Sequence, residues 1–181
     1  MAFARAKTKL MDEPSLYEYA VGALGRRMRS VAEMRRLLRN RVEIDTELGK
    51  ALVDLVVVRL KDAGYLNDTK YAAAFSSYRR DNEKFGRRRV ETDLKTRGVH
   101  GDVIDKTIGE VFDDVNEEKQ AREYMRRKRL KKPADQKQTA RIFRALMRAG
   151  FGSKTIFDIL KKWDVDEEVI TALEGEEPLE A

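Results

Sequence analysis

Five apolar columns recur three times along this chain, and that recurrence constrains its fold more than any other feature. Met34, Val90 and Ile142 share the first column, and Leu38, Leu94 and Leu146 the second. Leu48, Ile104 and Ile156 form the third, Leu52, Ile108 and Leu160 the fourth, and Leu55, Val111 and Trp163 the fifth. Within each copy the apolar positions follow helical spacing. Gly98 also falls on Gly150, and Val99 on Phe151. A self-similar period of about 50 residues marks tandem modules, none of which buries its apolar face well alone. The expectation is an all-α chain of three tandem three-helix repeats in an elongated, curved arrangement. The repeats cover residues 17–66, 67–114 and 115–163. A segment at 1–16 precedes them, and a short helix with an acidic tail, 164–181, follows.

Helix punctuation supports this division. Pro14 suits the first turn of a first helix reaching about Arg27. Ser30 and Glu33 form a capping box that starts the second. Asp45 is placed to cap the third, which Gly64 ends. Asn67 or Asp68 opens the fourth, which runs on through Arg80. The fifth spans Arg87–Arg97 and ends at Gly98. Asp102 opens the sixth. Asn116 opens the seventh, which Pro133 closes. Asp135 caps an eighth that Gly150 ends, Ser153 a ninth through Trp163, and Asp166 a short last helix.

Charge is segregated. The chain carries a net +6, with 39% charged residues and only three prolines. Seven basic residues and one acid lie between Arg26 and Arg41, and eleven bases against two acids between Arg122 and Arg148. Seven acids and one base lie between Asp102 and Glu118, and every charge after Lys162 is acidic. Separated blocks of this kind create basic surfaces for an anionic partner. Arg87, Arg88 and Arg89 add a further run at a helix N-terminus, where the macrodipole disfavours cations. Helix stability therefore does not account for them. The candidate contact residues are Arg35, Arg36 and Arg39, then Arg87, Arg88 and Arg89, then Arg126, Arg127, Lys128, Arg129, Lys131 and Lys132. Because they form runs rather than a few polar readers, phosphate or acidic-protein contact is favoured over base readout.

Catalytic signals are weak. There is no cysteine and one histidine, His100, beside Gly101 in a turn. No phosphate-binding glycine motif is present. Asp113, Asp114, Glu117 and Glu118 could hold a divalent ion but read better as helix-end and first-turn charges. No catalytic residue, metal or cofactor is assigned. No apolar run approaches a membrane span, and a cytoplasmic location is expected.

Four stretches, in order and at matching spacing, resemble one family. "SVAEMRRLLRNR" (30–41) is similar to its first-repeat motif, and "LKDAGYLNDTKYAAAFSSYR" (60–79) to its most recognisable stretch. "FGRRRVETDLKTRGV" (85–99) and "RALMRAGFGSKTI" (144–156) match its second and third repeats. The family is RecX, the bacterial regulators of the RecA recombinase, and the resemblance covers about residues 15 to 163. It implies three tandem three-helix repeats and a non-enzymatic role. It also implies binding along RecA filaments on single-stranded DNA, with suppression of ATP hydrolysis and strand exchange, and at most weak binding to bare DNA. The alternative reading is a helix-turn-helix-like nucleic-acid-binding protein such as a transcription regulator.

Overall fold

The computed structural model describes residues 10–175. Residues 1–9 of the N-terminal segment and 176–181 of the acidic tail lie outside the described residues. Among those described, all regular structure is helical: α1 (Glu13–Arg26), α2 (Val31–Arg39), α3 (Glu47–Asp62), α4 (Asp68–Asp81), α5 (Arg87–Thr96), α6 (Gly101–Phe112), α7 (Glu117–Arg127), α8 (Gln136–Arg148), α9 (Ser153–Lys161) and α10 (Glu167–Gly175). None is long and apolar enough to cross a membrane.

Most helix starts follow the cap chemistry of the sequence. The Ser15 N–H donates to Asp12, with Pro14 in the first turn of α1. Both halves of the Ser30–Glu33 capping box form at α2. Asn67, Asn116 and Asp135 accept from the backbone three residues on. Three expectations are corrected. Thr46, not Asp45, caps α3: its hydroxyl donates to the Glu43 carbonyl at 2.7 Å and accepts from the Gly49 N–H at 3.0 Å. The α6 helix opens at Gly101, one residue before Asp102. Gly152 holds the cap position of α9, and the Ser153 hydroxyl does no capping. A distant carboxylate serves there instead. Glu117 accepts from the Gly152 N–H at 2.9 Å and from the Thr155 hydroxyl.

Helix ends share one device. After α3, α5, α7, α8 and α9, a residue with positive φ turns the chain, and the next N–H reaches a carbonyl five residues back. Gly64, Gly98 and Gly150 occupy this position after α3, α5 and α8, whereas Arg129 (φ 55°) and Asp164 (φ 56°) do so after α7 and α9. This Schellman closure satisfies carbonyls that would otherwise be orphaned. It ends α7 at Arg127, well before Pro133, and α9 at Lys161, before Trp163.

The chain gathers into two compact units: residues through Ala73 with Leu94–Ile104, and Ala74–Asp93 with the residues from Asp105 onward. In the first, Leu16, Ala20 and Ala23 of α1 pack with Met34 and Leu38 of α2 and Val53, Val56, Val57 and Leu60 of α3. In the second, Tyr124 and Met125 of α7, Phe143 and Leu146 of α8, Ile156 and Leu160 of α9 and Ile170 of α10 share a core. The last helix is therefore part of that core, although its sequence reads as an appendage to the tail.

The first four apolar columns are buried in the second and third copies, with Val111 and Trp163 of the fifth half-buried; in the first copy Met34 and Leu38 hold and the three α3 columns slip by one residue. Leu94, Ile104, Ile108, Leu146, Ile156 and Leu160 are buried. Leu48, however, is 70% exposed and Leu55 48% exposed, while Gly49, Val53, Val56, Val57 and Leu60 face inward. Leu38 and Gly49 stand eleven residues apart. Leu94 and Ile104, like Leu146 and Ile156, stand ten apart. The extra residue lies in the α2–α3 turn, where a Cβ on Gly49 would overlap the Glu43 carbonyl.

Three stability outcomes follow. Leu94→Ala and Leu146→Ala each lower unfolding free energy by about 2–5 kcal/mol in denaturant titrations, as fully buried leucines do. In dilute protein Leu48→Ala stays within about 0.5 kcal/mol of wild type, as a surface change does. Gly49→Ala, although the milder substitution by size, costs about 1–3 kcal/mol through overpacking against the turn.

Candidate anion-binding site

The second unit holds the densest array of exposed cations. The first turn of α5 is fixed by its backbone: the Gly86 N–H donates to Ala149 O at 2.8 Å, and the Arg88 N–H to Gly150 O at 3.3 Å. Gly150 has φ 90°, and a Cβ there would overlap the backbone nitrogen of Arg89. Only glycine allows this approach of the α8–α9 turn to α5. With Val90 buried beneath, the side chains of Arg87, Arg88 and Arg89 project outward.

These three arginines differ in what holds them. Arg89 pairs with Asp93 one turn on, at 3.0 Å. Asp93 also binds Arg79, whose guanidinium lies between the Phe75 and Phe85 rings and pairs with Glu83 as well. Arg79 is thus an internal strut. Arg87 and Arg88 make no side-chain hydrogen bond or ion pair among the described residues. Their charge remains available to a partner, and a guanidinium fork suits phosphate or carboxylate equally.

The α7 end adds to the array. Phe85 packs on Tyr124, whose ring also meets Phe151 edge-on. Burial raises the Tyr124 hydroxyl above its ordinary range, against the opposing pull of the Arg148 and Arg89 charges. Lys128 sits over the Tyr124 ring at 5.8 Å. Arg127 donates to the Asn82 carbonyl, and Lys132 pairs with Asp164 at 2.9 Å. Arg126, Arg129 and Lys131 are exposed and unpaired among the described residues. Arg148, absent from the candidates named from sequence, is also exposed. Its run on α8 is diluted by apolar core positions and so lacks the density that marks α5 and α7.

The α2 run in the first unit is more heavily committed. Arg35 pairs with Asp54 of α3 at 3.1 Å. Arg36 donates to Ala32 O at 3.4 Å and to Thr96 O at 3.3 Å, meeting the electronegative end of α5. Glu33 pairs with Arg97 at 2.6 Å. Arg39 alone of the three candidates is exposed and unpaired among the described residues.

The acidic residues are dispersed. Glu117 caps α9. Glu118 pairs with Arg122 and Lys162, and hydrogen bonds from both hold its carboxyl below the usual range. Glu123 is lowered in the same way by Lys84. Among the described residues no group of three or more His, Asp or Glu converges for a metal. His100 stands exposed at the start of α6, 3.4 Å from Asp102.

Comparison with known proteins places the chain in a family. Residues 67–108 match the model of the RecX second three-helix domain. The regulatory protein RecX of Deinococcus radiodurans is 32% identical over 160 residues, covering 87% of this chain and 72% of the relative. That of Chromobacterium violaceum is 32% identical over 146 residues, covering 81% and 89%. The crystal structure of RecX from Lactobacillus salivarius shares the fold with a TM-score of 0.62, at 17% identity, over 84% of this chain and 96% of that one. Another RecX crystal structure gives 0.61 at 20% identity, over 83% and 71%. With identity of this level across most of both sequences, the chain belongs to the RecX family of regulatory proteins.

Proposed function

We propose that the chain binds filaments of a RecA-type recombinase on single-stranded DNA in the cytoplasm and restrains their ATP hydrolysis and strand exchange. The observation that carries this reading is the 32% identity to regulatory RecX proteins over most of the chain. The exposed cations give it a physical means. Among the described residues Arg87, Arg88, Arg126, Arg129 and Lys131 have no ion-pair partner, so binding an anionic surface breaks no ion pair seen there. The division into modules at 17–66, 67–114 and 115–163 is part of the same reading. Modules that each bind weakly reach useful affinity when tethered, because the second contact forms at high effective concentration. The role is binding rather than catalysis.

The direct test is single-stranded-DNA-dependent ATP hydrolysis by a RecA-type recombinase, with this protein added below the protomer amount. Turnover falls if the reading is right. Unchanged turnover together with tight binding to one duplex sequence would replace it with a transcription-regulator role.

A second measurement separates free from committed arginines. Arg87→Ala with Arg88→Ala leaves the melt unchanged and weakens restraint of the ATPase. Where the contact is phosphate, it also flattens the log–log salt dependence of single-stranded DNA binding by roughly 1.4, or 0.7 per arginine. Where the contact is an acidic protein surface, that slope is unchanged. Arg79→Ala instead lowers the melting temperature, because it leaves Glu83 and Asp93 without their shared partner.

A further inference from the structure

The outer face of α3 carries an apolar stripe that none of the described residues covers. Leu48 (70% exposed), Ala51, Leu55 (48%) and Val58 (51%) lie opposite the buried Gly49, Val53, Val56 and Leu60. Their spacing is three, four, three: the a/d pattern of a helix-pairing seam rather than a scatter of single exposed residues. The helix is thus apolar on both sides, which a helix packed on one core does not need.

We infer that this stripe pairs with the same stripe of a second copy, the two α3 helices running antiparallel about a two-fold axis. A two-fold contact requires a surface that complements itself. In this orientation Leu48 meets Val58 of the second copy, and Ala51 meets Leu55, setting small against large near the axis. The ends are complementary in charge. Asp45 and Glu47 mark the start of α3, where Glu47 also pairs with Lys50 at 2.7 Å, and Arg59 and Lys61 its last turns, where Arg59 also pairs with Glu13 and Asp62 follows. Antiparallel pairing brings each acidic end beside a basic end and opposes the two macrodipoles. Parallel pairing would set Glu47 against Glu47 and Lys61 against Lys61. Asp54 faces its own copy near the axis, where Arg35 already neutralises it at 3.1 Å. Four apolar side chains per copy make a small interface, so association is weak and concentration-dependent.

Sedimentation equilibrium tests this without any recombinase, so its outcome is independent of the function proposed above. The mass of the 20.9 kDa chain rises toward twice that value between about 10 and about 500 µM, the range for a small interface. Leu55→Glu holds the protein at monomer mass with an unchanged melt. The sequence has no cysteine, so orientation can be read by disulfide trapping. Mixed Leu48→Cys and Val58→Cys chains give the crossed product in preference to either self-linked one. A wild-type mass that stays monomeric throughout overturns the inference. So does a Leu55→Glu variant that still associates, or preferential self-linking. A monomeric wild type whose Leu55→Glu variant loses restraint of the ATPase would assign the stripe to the recombinase instead.

Discussion

Helices of nine to sixteen residues are marginal in water on their own, so the way each ends and hands the chain to the next governs the rest of this structure. The left-handed closures after α3, α5, α7, α8 and α9 supply that control. Each satisfies terminal carbonyls, and after α5, α7, α8 and α9 the apolar residue that follows (Val99, Leu130, Phe151 or Val165) is buried or half-buried, whereas Tyr65 after α3 stays exposed. After α8, Phe151 is fully buried and meets Tyr124. The same turn brings the Ala149 and Gly150 carbonyls to the first turn of α5. The exposure of Arg87 and Arg88 is therefore a consequence of a helix end more than fifty residues away.

The arginines divide into two populations by what surrounds them. Arg35, Arg36, Arg79 and Arg97 meet carboxylates or carbonyls of other segments and position helices, while Arg89 pairs with Asp93 within α5. Among the described residues Arg39, Arg87, Arg88, Arg126 and Arg129 make no such contact. Exposed ion pairs contribute little individually, but Arg79, stacked between two rings and bound to two carboxylates, is partly desolvated and costly to leave incomplete. A strongly basic chain thus separates scaffold from contact surface with one residue type.

Much of this was legible in advance, for physical reasons. Capping chemistry is local, so Ser30, Asn67, Asn116 and Asp135 announced their helices. Glycine closures are local too, and Gly64, Gly98 and Gly150 marked three ends. Arg129 and Asp164 adopt the same conformation without glycine, so the ends of α7 and α9 were placed too late. The α3 register was misread because both faces of that helix are apolar: Leu48, Leu52 and Leu55 satisfy helical spacing as well as Val53, Val56 and Leu60 do. Only the close approach of Gly49 to Glu43 decides between them. At the candidate site the runs were visible in the sequence, but the partners were not. The Arg35–Asp54 and Arg36–Thr96 contacts depend on tertiary packing that charge spacing does not encode.

The Glu117 carboxylate at the start of α9 has a consequence for the order in which the second unit assembles. Segment 153–161 brings no capping side chain of its own, so its helix gains that support only after α7 has docked beside it. Until then the segment lacks a cap worth about 1 kcal/mol. During synthesis from the N-terminus, the chain presents the carboxylate before the amide groups it will receive, so the receptor for α9 is already waiting when α9 emerges.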